Sequence, residues 1–421
     1  MGSKVIILIV IILAIVAVAQ LLKMYDAIVA VRGKREEDVD LKTNNLNATL
    51  FIVFMVVFFG SFFYLISEYG RGRMPVAASE HGVEIDWLYG INWVIVFTVY
   101  LLTNALLFIF AFRYRYKPGV KAFYYPHNNK LEMIWTVIPA AALAVIIILG
   151  LMTWNNIMGK ASDDAVVVEI YAKQFDFTAR YSGDDNKLGY SDYKLISNYA
   201  DNSNPLGVVT QNNMDWRIFE IQQGILEADS LLKAVDEGKA ILSKANYLKR
   251  VKESEKMARI ETRIWNMKER FGDSVTVLAN DDFYTKTQLF LVEDQEYSFV
   301  FRSQDVIHSA YFPHFRAQMN CVPGQRTTFK FKPTMTTAEM RKETNNPEFN
   351  YILLCNKICG KSHSMMNMPV YVGTQEEFDA WSDLEAGNVK PIVAADSLLV
   401  AAPHIVKPVV EESTNDHGGH H

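Results

Sequence analysis

Four dense apolar runs, at 5–22, 49–66, 93–112 and 134–153, dominate the first 154 residues, and none of them contains a charge. Each is close to the ~20 apolar residues that carry a helix across the hydrocarbon core of a bilayer. The pattern therefore predicts four transmembrane helices. Asn104 and Pro139 fall inside the third and fourth runs, where a packed bundle tolerates them. After Trp154 the long runs give way to short alternating stretches at 166–171, 289–291, 297–301, 327–331, 351–354 and 368–372, rich in β-branched and aromatic residues. Gly, Pro, Asn and Asp separate them, which predicts short strands in a sandwich or barrel. One segment, 215–271, keeps a helical period instead, with apolar residues three, four and seven apart and Lys, Glu and Arg on the other face. It reads as two or three amphipathic helices inserted between strands, with Gly224 and Gly238 as candidate breaks. Packing against the barrel is the plain role for it, and holding a partner subunit the sharper one.

The basic residues orient the spans. Lys23, Arg32, Lys34, Arg35 and Lys42 follow the first run, and Arg113, Arg115, Lys117, Lys121 and Lys130 follow the third. The loop after the second run has only Arg71 and Arg73, offset by Glu68, Glu80, Glu84 and Asp86. Lysine and arginine mark cytoplasmic loops, so both termini and the strand-rich domain face outward. Lys4 and Ala17-Val18-Ala19 also fit a signal peptide with a small-residue cleavage site; with one lysine before the run, a retained helix is the preferred reading. The expected organisation is an N-terminal membrane hairpin at 1–70, a second hairpin at 71–154, the outer domain at 155–385 with its insert at 215–271, and a tail at 386–421. The tail ends in His417, His420 and His421, which can scavenge metal, although its composition reads as disorder.

A net charge of −5 over 421 residues argues against a nucleic-acid partner. The three cysteines, Cys321, Cys355 and Cys359, do not form a secreted disulfide framework. Cys321 reads as a small buried apolar residue. Cys355 and Cys359 lie in a C-x3-C-x3-H-x2-M stretch that ends at Met366. A disulfide is the plain reading of that pair. Thiolates and a thioether beside an imidazole select copper or, less often, zinc. Two bridging thiolates hold two coppers close enough to share an unpaired electron, so the motif points to a dinuclear copper A centre in an electron carrier. The second imidazole is sought upstream, where Asp305-Val306-Ile307-His308-Ser309 offers one. Loops between rigid strands keep such ligands in place in either oxidation state.

Three segments resemble subunit II of the haem-copper cytochrome c oxidases. Residues 131–140 look like the start of that family's second transmembrane helix. Asp305 to Ser309, with Val322-Pro323-Gly324 beyond, looks like the first ligand strand, and 355–366 look like the copper loop. The likeness covers roughly residues 90–380 apart from the insert, and the first two spans are additional. Together with the four spans read from hydropathy, it implies a membrane α plus all-β protein: four transmembrane helices followed by an outward-facing cupredoxin-like β-barrel with a helical insertion. It also implies Cys355 and Cys359 bridging both coppers, His308 with Met366 completing one, and His363 with the Lys357 carbonyl completing the other. The implied partner is a haem-copper subunit I, which reduces oxygen to water with electrons from a cytochrome c, coupled to proton translocation. The implied location is the inner (cytoplasmic) membrane, with the copper domain on the periplasmic side. Glu132 matches the family's carboxylate at a proton-channel mouth, and an ordinary interfacial glutamate fits it equally well.

The chain departs from the family in three places. Lys357 stands where the family has a glutamate that also binds magnesium, and its side chain has no affinity for a hard cation. Phe175-Asp176-Phe177 replaces the family's Trp-Tyr-Trp at the electron entry, and Ala310 follows His308-Ser309 where an aromatic residue is common. A copper-free quinol-oxidase subunit is disfavoured by the complete donor set, and a copper chaperone by the four spans. With nine histidines, the chain lacks the histidine-rich domain of a nitrous oxide reductase. A nitric oxide reductase subunit remains the alternative, since the difference would lie in the partner. There is no C-x-x-C-H motif, so this chain carries no attached haem. The donor is then a separate cytochrome c or a tethered cytochrome within a larger respiratory supercomplex.

Overall fold

The computed structural model describes residues 2–31, 40–70, 74–198, 203–279, 281–384 and 390–391. It divides into two compact units, Met1–Met74 with Gly90–Ala142, and Pro75–Tyr89 with Leu143–His421. Four long helices come first: α1 (Gly2–Val31), α2 (Leu41–Tyr69), α3 (Glu80–Arg113) and α4 (Asn129–Met158). The last three are long and apolar enough to cross a membrane, and their apolar windows are almost entirely exposed. A helix that is apolar all round suits lipid, which can solvate every face. Each helix runs past its apolar run, and the start of α2 is capped: the Asp40 carboxylate accepts from the Lys42 N–H and the Thr43 hydroxyl. Within the first unit, aromatic rings join α2 to α3, with Phe62 and Tyr100 4.9 Å apart and Phe54 and Phe108 5.5 Å apart.

The second unit holds eleven strands among the described residues. They are β1 (Val166–Lys173), β2 (Asp176–Tyr181), β3 (Phe283–Thr285), β4 (Leu289–Val292), β5 (Tyr297–Ser303), β6 (His308–Phe312), β7 (Ala317–Cys321), β8 (Thr327–Phe331), β9 (Tyr351–Cys355), β10 (Asn367–Gly373) and β11 (Lys390–Pro391). They form a six-stranded sheet, β11-β3-β2-β1-β5-β8, and a five-stranded sheet, β4-β10-β9-β6-β7. Residues of both sheets build one core, in which Phe299, Phe312, Phe315, Phe331 and Tyr351 are buried. The Tyr181 hydroxyl ties the sheets together, donating to the Phe290 carbonyl at 2.8 Å and accepting from the Phe290 N–H at 2.9 Å. Beyond β11, the tail expected at 386–421 lies outside the described residues.

The insert forms two helices, α5 (Gln211–Asp236) and α6 (Lys244–Thr276), between β2 and β3. Thr210 caps α5, accepting from the Asn213 N–H at 3.0 Å, which moves the start ahead of 215. Gly238, at φ 74, makes the break. Gly224 does not: it lies inside α5, where an added Cβ would come 3.1 Å from the Met257 sulfur on α6. Ile218, Ile221, Ile264 and Met267 are buried between the helices and the base of the insert, each contributing roughly 1.5–3 kcal/mol through burial. Two short helices, α7 (Thr337–Glu343) and α8 (Gln375–Leu384), complete the unit.

Candidate metal centre

Strand alternation sets the first ligand position. Tyr351, Leu353 and Cys355 face inward along β9, so Cys355 closes the strand with its thiol toward the core. Antiparallel pairing of β6 with β9 sets Ala310 opposite Cys355, which brings His308, two residues away at the start of β6, to the same end of the sheet. The loop from β9 to β10 returns over that end and carries Cys359, His363 and Met366.

The donors converge. The Cys355 and Cys359 sulfurs are 3.9 Å apart and unbonded, so the disulfide reading does not hold. Around Cys355 lie His308 Nδ1 at 4.0 Å and the Lys357 carbonyl at 3.2 Å. Around Cys359 lie His363 Nδ1 at 3.6 Å and the Met366 sulfur at 3.8 Å. Each thiol thus has one imidazole and one further donor beside it. Among the described residues, His308, Cys355 and Cys359 form a group able to hold a metal ion, with donor atoms within 4.8 Å of one another. His308 is fully buried, and Cys355, Cys359 and Met366 are buried too. Burial pushes the Cys359 thiol up to about 11, and the neighbouring Cys355 adds to the shift. Two adjacent buried thiols ionise readily only when a cation compensates their charge, and this soft donor set fits copper.

Asp305 and Gln174 hold these donors in position. His308 Nε2–H donates to the Asp305 carboxylate at 2.8 Å, which leaves the Nδ1 lone pair toward Cys355. Burial alone would raise the Asp305 pKa, but hydrogen bonds from His308 and from the Gln174 and Val306 N–H groups hold it below the usual range. The Gln174 side chain donates to the Cys359 carbonyl. Asp305 stood in the upstream motif without a role, its signal being a carboxylate three residues before the histidine. Gln174 gave no sequence signal. Cys321 is buried, as its reading required; it pairs with His308 in register, and burial pushes its thiol up to about 12.

The two phenylalanines differ in position. Phe175 is partly buried against the loop, and a Cβ added to Gly360 would lie 2.8 Å from its ring. Phe177 is 1% exposed in the core, so it presents no surface to a donor and is withdrawn as an entry residue. Glu132 belongs to the other unit, in the first turn of α4, where it is exposed and accepts from the Asn128 N–H at 3.4 Å. Sequence reading also missed an apolar rim beside the donors, made of Ile358 (87% exposed), Met365 (74%), Ile307 and Val306.

The chain thus combines helices long and apolar enough to cross a membrane with a two-sheet domain whose thiols and imidazole could hold a metal ion. The family model for the cytochrome c oxidase subunit II transmembrane domain matches residues 67–153. The alternative cytochrome c oxidase subunit 2 of Bradyrhizobium diazoefficiens is 25% identical over 304 residues, 71% of this chain and 81% of that protein. Cytochrome c oxidase subunit 2 of Cereibacter sphaeroides is 20% identical over 336 residues, 79% of this chain and 85% of that protein. The solved periplasmic domain of subunit II of cytochrome oxidase from Bradyrhizobium japonicum aligns with 54% of this chain and 96% of its own, at 14% identity and a TM-score of 0.25. The family model covers the membrane part of the chain, and over most of its length the chain is similar to subunit II proteins of cytochrome c oxidase.

Proposed function

We propose that this chain is the copper A subunit of a terminal cytochrome c oxidase. It takes electrons from a cytochrome c and passes them to the haem-copper subunit I, where oxygen is reduced to water with proton translocation. The observation that carries this reading is the convergence of Cys355, Cys359, His308, His363, Met366 and the Lys357 carbonyl at one end of the second sheet. Two coppers bound there supply a one-electron carrier that changes geometry little on reduction.

The chain's own residues supply the setting. Asp305 fixes the His308 ring and its tautomer, and Gln174 braces the loop through the Cys359 carbonyl. Burial keeps water from the thiols. Val306, Ile307, Ile358 and Met365, each next to a donor or one residue removed in the chain, are exposed and suit a face that subunit I covers. In the same reading α1 is a fourth span and the copper domain lies on the periplasmic side of the inner membrane. The chain is organised as 1–70, 71–154, 155–385 with its helical insert, and a tail. Phe175 lies on the electron path, and Glu132, beside a basic cytoplasmic loop, collects protons for subunit I. The names of the curated relatives do not favour the nitric oxide reductase alternative.

The test is Cys359→Ser in the assembled complex. Oxidation of cytochrome c should fall at least a hundredfold, while dithionite-reduced haem in subunit I still reacts with oxygen. Unchanged cytochrome c oxidation would overturn the proposal.

A further inference from the structure

We propose that the exposed face of α6 is a docking ridge for an acidic protein surface, that of the electron donor. This inference rests on the electron-carrier reading above. Lys249, Lys252, Lys256, Arg259, Arg263 and Arg270 are all exposed and follow one another at helical spacing. At 3.6 residues per turn they fall within about 80° of arc and extend over about 32 Å. The side of α6 that adjoins this arc is committed to the fold: Ile264 and Met267 are buried in one cluster with Ile218 and Ile221 of α5.

The ridge is poorly neutralised. Lys249 lies 3.9 Å from Glu253 and Arg259 3.7 Å from Glu255, both exposed pairs, which are worth little. Among the described residues, Lys252, Lys256, Arg263 and Arg270 have no carboxylate within 4.0 Å. A helix face that only needs solvation interleaves both signs, whereas a single-sign stripe produces a field that steers an oppositely charged partner. A lipid surface is the weaker match. An interfacial helix inserts a row of exposed apolar residues, and among its described residues α6 exposes one large apolar side chain, Leu248. The donor is the protein this domain must meet, because the chain has no haem-attachment motif of its own.

The experiment uses the assembled oxidase and two probes, a basic soluble cytochrome c and the same cytochrome with its lysines succinylated. The wild type should oxidise the succinylated form faster at low ionic strength, with a rate that falls as salt rises. Lys252→Glu/Lys256→Glu/Arg263→Glu should lower that second-order rate about tenfold and reverse its salt dependence, with the copper spectrum and helical circular dichroism unchanged. An unaltered rate with the succinylated probe would overturn the ridge. Unaltered rates combined with lost binding to phosphatidylglycerol vesicles would assign it to lipid and overturn it equally. Oxidation of neither cytochrome by a wild-type complex that reacts with oxygen after dithionite reduction would instead mark the failure of the carrier reading, and the ridge would fall with it.

Discussion

Asp305 and His308 form a carboxylate–imidazole pair 2.8 Å apart, with the far nitrogen of the ring facing the Cys355 thiol at 4.0 Å. The carboxylate fixes which nitrogen carries the proton and which is free for a metal. Asp305→Ala should therefore weaken copper binding about 10–100-fold while leaving the donor set intact. Titration of the apo chain with cuprous ion against a competing chelator checks this. Unchanged affinity would make Asp305 a bystander.

Gly360 is the loop's conformational pivot. Its φ of 141 is open to glycine, and an added Cβ would come 2.8 Å from the Phe175 ring and 2.9 Å from the Gln174 amide. Gly360→Ala should cost roughly 1–3 kcal/mol locally and displace Cys359 from Gln174. The expected result is a lower melting temperature for the copper-free chain and incomplete copper loading. A melting temperature equal to wild type would contradict it.

The copper loop was legible in the sequence because chain connectivity alone holds four of its donors within twelve residues. His308 was legible as a motif, though only the pairing of β6 with β9 explains its arrival. The strands were read unevenly. The apolar run Tyr-Ile-Leu-Leu-Cys reveals β9, whereas β2 and β6 interleave polar residues although nearly every position in them is buried. In β2, Arg180 is buried yet charged, bonded to Glu169 and Asp282, so hydropathy reads outward where the residue points inward. Gln174 acts through a hydrogen bond to a carbonyl 185 residues away, and no local pattern reports such a bond.

Met366 should tune the site more than hold it. Its sulfur lies 3.8 Å from Cys359 and is buried, and a thioether is a weak ligand beside thiolates and imidazoles. Met366→Leu should retain two coppers per chain and shift the reduction potential upward, as protein-film voltammetry would record. Loss of one copper would make the thioether an indispensable ligand.

The most direct measurement is the electron paramagnetic resonance spectrum of the copper-loaded chain, read together with its copper content. The account predicts two coppers per chain and a hyperfine pattern of one unpaired electron shared equally between them, abolished by Cys355→Ser. A single copper with a localised spin, or a shared-spin signal that survives Cys355→Ser, would contradict it.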